Sequence, residues 1–154
     1  MDALHYFIER DGFFTTQMAL EVGYGKRDIT RMTRSGEWHR IRRGAYAPGA
    51  TWLELDPVAQ HRVRSRAVMR SLGGAVALSH TSGVVAHGID VWNLPLDRVH
   101  VTRLDDGAGR IEGDVVHHEG FSLDSELVSA DGTRAVLPER CVLEAASRVD
   151  META

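Results

Sequence analysis

The chain has 154 residues, of which 43% are apolar and 26% charged, and its formal net charge is −4. This composition is typical of a globular protein and argues against a disordered chain. No stretch approaches the roughly 18 apolar residues of a membrane span, and the acidic N-terminus, MDALHYFIERDGFF, is not a signal peptide. The single cysteine, Cys141, excludes an internal disulfide and favours a reducing, cytoplasmic location.

The first residues predict two short helices. Leu4, Phe7 and Ile8 stand at helical spacing, and Asp2 is a suitable N-cap for the first helix. After the turn in DGFF, a second helix starts at an N-cap that is either Thr15 or Thr16, and Gly23 is its expected stop. Its apolar positions are Met18, Ala19 and Val22.

A third helix is predicted over residues 27–35. Arg27, Arg31 and Arg34 stand at i, i+4 and i+7, and Gly36 ends the helix. A basic stripe on one side of a short helix is what a helix needs when it enters a DNA groove. The opposite side, which would pack on the body of the protein, carries Ile29, Met32 and Thr33.

Two short strands follow the third helix. The alternation in WHRIR predicts one strand, and AYA predicts a second strand after Gly44, closed by Pro48. Three helices and a two-stranded hairpin form a winged helix-turn-helix, whose third helix enters the major groove while the wing contacts the DNA backbone or minor groove. Strict alternation assigns Trp38, Arg40 and Arg42 to one face of the first strand, and His39, Ile41 and Arg43 to the other.

Positive charge is concentrated in this part of the chain. Residues 25–48, here called the basic window, carry seven Lys or Arg against two acidic residues, so the window has a charge of +5 and the rest of the chain −9. A single basic patch on an acidic body is expected when one surface meets a polyanion. Phosphate contacts would supply affinity, and one or two helix residues would read base edges. The candidate DNA-binding residues are Lys26, Arg27, Thr30, Arg31, Arg34, Arg40, Arg42 and Arg43.

A second domain is predicted over residues 56–154. Its first helix is capped by Asp56, has Pro57 in its first turn and ends at Gly73; four arginines on it form a mainly solvated face. LSHTSGVVAHG predicts a short, closely packed helix, and RVHVTRL and DVVHH predict two strands joined as a hairpin through DDGAG. The predicted fold class is therefore α+β, with a winged helix-turn-helix in residues 1–50 followed by a small α/β domain.

The last segment, LPERCVLEAASRV, predicts a helix with Pro138 in its first turn. No stop signal precedes Ala154, so we expect the chain to be part of a longer protein. The apolar positions of this helix are Val142, Leu143, Ala146 and Val149.

The eight histidines form no catalytic or metal-binding pattern along the sequence. His117 and His118 are neighbours on a strand and therefore point to opposite faces. His80 and His87 are separated by about 10 Å of helix rather than by one turn. GYGKRD lacks the spacing of a phosphate-binding loop, and HTSG lacks the strand–turn–helix elbow of a serine nucleophile. We expect no catalytic residue, metal or cofactor, and no enzyme activity.

The runs GFFTTQMALEVG and ITRMTRSGEWHRIRRGAYAP resemble the N-terminal winged-helix domain of AbiEi-type antitoxins of type IV toxin–antitoxin systems. The most specific phrases are Arg34-Ser35-Gly36 with Trp38, and IRRGAY in the wing. Further along, ALSHTSGVVAHGI, RVHVTRL and LPERCVLEAASRV are similar to the second domain of actinobacterial members. Some relatives carry an additional C-terminal region with a nuclease-like fold.

The resemblance implies a repressor that binds inverted repeats in its own promoter, with double-stranded DNA as its partner. It also implies a second gene in the operon for a nucleotidyltransferase-like toxin, which the antitoxin counters without a stable complex. The alternative is a protein–protein interaction module whose basic wing binds an acidic partner such as the cognate toxin. The arginine stripe and the arginine wing together favour DNA. No membrane partner is expected.

Overall fold

A computed structural model describes residues 3–120 and 126–149 of the chain. The chain forms two units, Met1–Ala67 and Val68–Ala154. Each unit combines helices with a β-sheet, which confirms the predicted α+β class. The first unit includes residues 51–67, which lie beyond the predicted domain of residues 1–50, because they pack into the hydrophobic core described below. The predicted N-cap, Asp2, lies outside the described residues.

The first unit is a winged helix-turn-helix, as predicted. Its three strands form an antiparallel sheet in the order β1-β3-β2. The short strand β1 had no sequence signal of its own and is identified through its pairing with β3. The helices are α1 (Ala3–Asp11), α2 (Thr16–Glu21), α3 (Lys26–Ser35), α4 (Gly49–Glu54) and α5 (Pro57–Leu72); the strands are β1 (Phe14–Thr15), β2 (Trp38–Arg42) and β3 (Ala45–Pro48).

Local signals define the ends of these helices. The side chain of Thr15 accepts a hydrogen bond from the backbone N–H of Met18 at 3.2 Å and so caps α2. Asp56 caps α5 in the same way, accepting from the N–H of Ala59 at 2.8 Å. Gly36 ends α3 with a φ of 81°, a left-handed conformation in which glycine carries no steric penalty.

The small sheet is covered on both faces. On one face, Phe14 and Trp38 pack with the helical residues Leu4, Met18 and Ile29. The opposite face has its own core, to which α4 and α5 contribute. That core contains Phe13, Ile41, Ala45, Ala47, Trp52, Val63 and Ala67. Trp38 and Ile41 therefore anchor the wing to two separate hydrophobic clusters, in agreement with the predicted alternation between them.

A β-bulge corrects the predicted faces of β2. Arg40 pairs with Tyr46, whereas Arg42 pairs with Ala45, so β2 has one extra residue at Ile41. Directly paired residues share a face of the sheet. Arg42 thus lies on the face of Ala45, and its assignment to the face of Trp38 is wrong because the bulge interrupts the alternation.

The second unit is built on a six-stranded mixed sheet in the order β6-β7-β5-β4-β9-β8. The last residues of α5, from Val68, belong to this unit, and a short 3-10 turn at Gly73–Ala75 precedes its first strand. The strands are β4 (Val76–Leu78), β5 (Val99–Arg103), β6 (Arg110–Glu112), β7 (Val115–His118), β8 (Leu127–Ala130) and β9 (Thr133–Val136); the helices are α6 (His80–Ala86) and α7 (Pro138–Ala146).

The predicted hairpin between RVHVTRL and DVVHH is wrong. These segments are β5 and β7, and they pair in parallel, with Val99 opposite Val115 and Val101 opposite His117. The intervening residues contain a further strand, β6, which pairs antiparallel with β7 through a turn at Gly113. The Gly-rich DDGAG therefore leads into β6, and the hairpin is formed by β6 and β7.

The buried face of α7 also differs from the prediction. Cys141 and Ala145 are buried, whereas Val142 and Leu143 are 42% and 72% exposed, and the helix ends at Ala146. The reason is close packing between α6 and α7: a side chain at Gly83 would overlap the Sγ atom of Cys141. Small residues, rather than the large apolar ones, therefore face the core here.

Candidate nucleic-acid interface

The helix α3 is held at both ends and buries one side. Ile29 is buried, and Met32 packs against the same cluster. At the N-terminus, the Oδ2 atom of Asp28 accepts a hydrogen bond from the backbone N–H of Gly25 at 2.9 Å, and Gly36 closes the opposite end. This anchoring fixes which residues of α3 face the solvent.

The exposed side of α3 brings together five of the predicted DNA-binding residues. All five are exposed, and with Ser35 they line one shallow groove along the helix. We call them the α3 face: Lys26, Arg27, Thr30, Arg31 and Arg34. The spacing argument had placed Arg27, Arg31 and Arg34 opposite the apolar stripe, and burial of Ile29 confirms that orientation of the helix.

The side chains of the α3 face differ from one another in their hydrogen bonds and ion pairs. The Nη2 atom of Arg31 donates to the Oδ1 atom of Asp28 at 3.0 Å. Within the residues that the structure describes, Arg27 and Arg34 form no ion pair or side-chain hydrogen bond. The hydroxyl of Thr30 donates to the carbonyl of Lys26 at 3.1 Å and keeps its lone pairs as acceptors.

The predicted residues of the wing do not share one surface. Arg40 and Arg43 are exposed, with Arg43 in the turn next to Gly44, whose φ is 78°. Arg42 is half-buried, because the bulge turns it toward the face of Ala45. Arg40 and Arg43 are thus available to a polyanion.

A contact beside the wing had no signal in the sequence. The ring of His39 stacks on that of Trp52, with centroids 4.7 Å apart, and the guanidinium of Arg64 lies 5.8 Å from the Trp52 ring. Burial, followed by the charge of Arg64, lowers the pKa of His39. Of the four arginines of α5 that were predicted to form a mainly solvated face, Arg70 is exposed, whereas the other three are half-buried. Arg66 donates to the carbonyl of Asp11 at 3.2 Å.

Three histidines of the second unit meet although they lie on different elements. The rings of His80 and His118 stack with centroids 3.6 Å apart, and Nδ1 of His100 lies 2.9 Å from Nε2 of His118. The sequence argument compared histidines only along one helix or strand and so missed this group. We call His80, His100 and His118 the histidine cluster.

Two members of the histidine cluster, His80 and His118, are uncharged at neutral pH. Burial, with smaller contributions from the neighbouring histidines and arginines, lowers the pKa of His80 to about 3. Burial, together with Arg148, lowers the pKa of His118 to about 4. Nδ1 of His80 lies 2.9 Å from Oγ of Ser79 and 3.2 Å from Oε2 of Glu144. The contact with Glu144 is therefore not an ion pair at pH 7.

Within residues 3–120 and 126–149, no group of three or more His, Cys, Asp or Glu residues is arranged to hold a metal ion. In the histidine cluster, two rings stack in parallel, whereas metal binding requires nitrogens that converge on one point. Over the same residues, no helix has both the length and the apolar character needed to cross a bilayer.

The fold of the first unit places it in the class of winged helix-turn-helix domains, and its third helix presents a basic face. Residues 1–49 match the family model described as "Transcriptional regulator, AbiEi antitoxin". The match covers α1 to β3 and confirms the predicted resemblance over this segment. No curated protein shows significant similarity to the chain.

Proposed function

We propose that the protein is a sequence-specific DNA-binding repressor, the antitoxin of a type IV toxin–antitoxin system. In this proposal it acts in the cytoplasm and represses its own operon by binding inverted repeats in the promoter. The observation that carries the proposal is the α3 face, a set of exposed basic and hydroxyl side chains on the third helix of a winged helix-turn-helix. The match of residues 1–49 to a family of transcriptional regulators supports it.

The distribution of charge restricts how DNA would approach. The basic window carries +5 and the rest of the chain −9, so phosphates would be repelled from most other surfaces. The α3 face would enter the major groove, where one or two of its side chains reach base edges and the others contact phosphates. Arg40 and Arg43 of the wing would contact phosphates, whereas half-buried Arg42 is less accessible to them.

An operator of inverted repeats would bind two copies of the chain, one at each half-site. Residues 1–50 would supply DNA binding, and the region from residue 56 would supply the antitoxin function. The functional partner would be a nucleotidyltransferase-like toxin, countered without a stable complex. No enzymatic activity is assigned to the chain.

Fluorescence anisotropy tests the proposal. Labelled duplex from upstream of the gene is compared with a scrambled duplex of the same composition, at low and near-physiological salt. We expect the preference for the upstream duplex to persist as salt rises, because base contacts do not depend on counterion release. The matched control is Arg110→Ala, which removes an exposed arginine of the second unit and should leave binding unchanged.

Two results would contradict the proposal. Equal, strongly salt-dependent binding to both duplexes would mean that the basic window binds polyanions without preference for a DNA sequence. Absence of binding to either duplex would favour the alternative, in which the wing holds an acidic protein such as the toxin.

A further inference from the structure

We infer that Asp28 is a positioning residue for base recognition, which holds Arg31 as the side chain of the α3 face that reads guanine. The inference rests on the proposed function, because it concerns how the same helix distinguishes one DNA sequence from another. It assigns different tasks to three arginines that the sequence treats as equivalent.

Both carboxylate oxygens of Asp28 are engaged. Oδ2 accepts from the backbone N–H of Gly25 at 2.9 Å, and Oδ1 accepts from Nη2 of Arg31 at 3.0 Å. The first hydrogen bond ties the carboxylate to the start of α3, so it cannot rotate without losing the helix cap. The second therefore orients Arg31 from a fixed point and leaves its other N–H groups free to donate.

Guanine is the base that fits an arginine held in this way. Its O6 and N7 atoms accept two parallel hydrogen bonds from one guanidinium in the major groove. That bidentate contact requires a fixed orientation of the planar group, and holding the side chain in place before binding reduces the entropy lost on binding. Arg27 and Arg34 have no such partner within the described residues, which suits contacts with phosphates along the backbone.

The charge of Asp28 would otherwise be a disadvantage. A carboxylate on a surface that approaches phosphates weakens binding to every DNA sequence by repulsion. The capping hydrogen bond alone does not require this charge, because an uncharged glutamine at the third helical position also accepts from the N–H of the N-cap residue. A residue that lowers general affinity while orienting a base-reading arginine increases discrimination between sequences.

The test is a selection of bound duplexes from a randomised DNA library, carried out with the wild-type chain and variants. Asp28→Asn keeps an acceptor for the N–H of Gly25 but removes the charge that orients Arg31. Arg31→Ala removes the reading group, and Arg34→Ala is the matched control on the same stripe. Asp28→Gln is a second variant, because glutamine at the third helical position also accepts from the N–H of the N-cap residue; it is used in case the asparagine variant is destabilised.

We expect wild-type protein to enrich a motif in which one guanine depends on Arg31. Arg31→Ala should reduce the preference for that guanine roughly ten- to hundredfold. Asp28→Asn and Asp28→Gln should weaken the preference at the same position, with unchanged or tighter binding to scrambled duplex. Arg34→Ala should leave that position intact.

The inference is overturned if Arg31→Ala leaves every position of the motif unchanged. It is also overturned if folded Asp28 variants keep the full preference at the position that depends on Arg31. Failure of the wild-type chain to enrich any motif is a different result, because it removes the proposed function itself.

Discussion

At the residue scale, the contribution of each basic side chain depends on how it is held. Arg31 is paired with a fixed carboxylate, Arg43 lies exposed in a turn, and Arg42 is half-buried beside a bulge. Residues of one type in one short window therefore have different expected roles. The sequence indicates the basic window, whereas the contacts within the first unit separate these roles.

Replacing Arg43 with alanine should weaken binding to all duplexes by a similar factor. Its expected contact is with phosphate, which carries no sequence information. The slope of log K against log salt concentration should become shallower by about 0.9, the value for one phosphate contact on duplex DNA. Anisotropy titrations at several salt concentrations measure the slope, with Arg110→Ala as control. A loss confined to one DNA sequence would instead identify Arg43 as a base-reading residue.

At the element scale, the wing is stabilised by an aromatic cluster around Trp38. The Trp38 ring lies 4.6 Å from that of Phe14 and 4.9 Å from that of Tyr24, both in edge-on geometry. Phe14 is on β1 and Tyr24 lies between α2 and α3, so one side chain joins the sheet to the helices. Such contacts contribute beyond the burial of apolar area.

Trp38→Ala should destabilise the chain by about 3–5 kcal/mol, the cost of removing a large aromatic side chain from a core. Thermal or urea unfolding measures the loss. The matched control is Trp92→Ala, because Trp92 is 76% exposed and its removal leaves no buried cavity. Equal melting temperatures for the Trp38 variant and the wild type would contradict the winged-helix packing of β2.

At the scale of the whole molecule, charge is segregated along the chain. The first unit carries the basic window, while the second unit contains His80 and His118 of the histidine cluster and much of the acidic surplus. DNA binding is therefore expected to depend on the first unit. The dependence of stability on pH is expected to come mainly from the second unit, and His39 of the first unit, whose pKa is also lowered, adds to it.

Acidification should destabilise the protein through the second unit. The pKa values of His80 and His118 fall from an ordinary 6.5 to about 3 and about 4. Between pH 6.5 and 4, the unfolded chain therefore binds protons that the native state does not, and stability decreases as the pH falls. Burial raises the pKa of Glu144, which opposes this effect in the range where that carboxyl titrates.

Melting temperatures between pH 7.5 and 4.5 test the expectation. His118→Gln should reduce the dependence on pH, because the replacement cannot take up a proton in the unfolded state. His5→Gln, at an exposed position of α1, is the control and should retain the wild-type dependence. A melting temperature that rises on acidification, or an unchanged dependence in His118→Gln, would contradict the assignment.

Features that depend on a few neighbouring residues were predictable from the sequence. They include α1, α2, α3 and α5, though not α4, together with the cap at Asp56, the stop at Gly36 and the exposed stripe of α3. Each follows from backbone preferences or from side-chain spacing within one element. For that reason, Arg27, Arg31 and Arg34 could be placed on one side of α3 before the fold was known, and the structure adds Lys26 and Thr30 to the same groove.

Only the tertiary structure decided how distant segments pair and which side chains meet. The parallel pairing of β5 with β7 and the exposure of Leu143 depend on partners far along the chain, and the bulge at Ile41 depends on how β2 pairs with β3. The histidine cluster likewise joins α6, β5 and β7. Such arrangements depend on the free energy of packing over the whole unit. The preferences of a single segment do not determine that free energy.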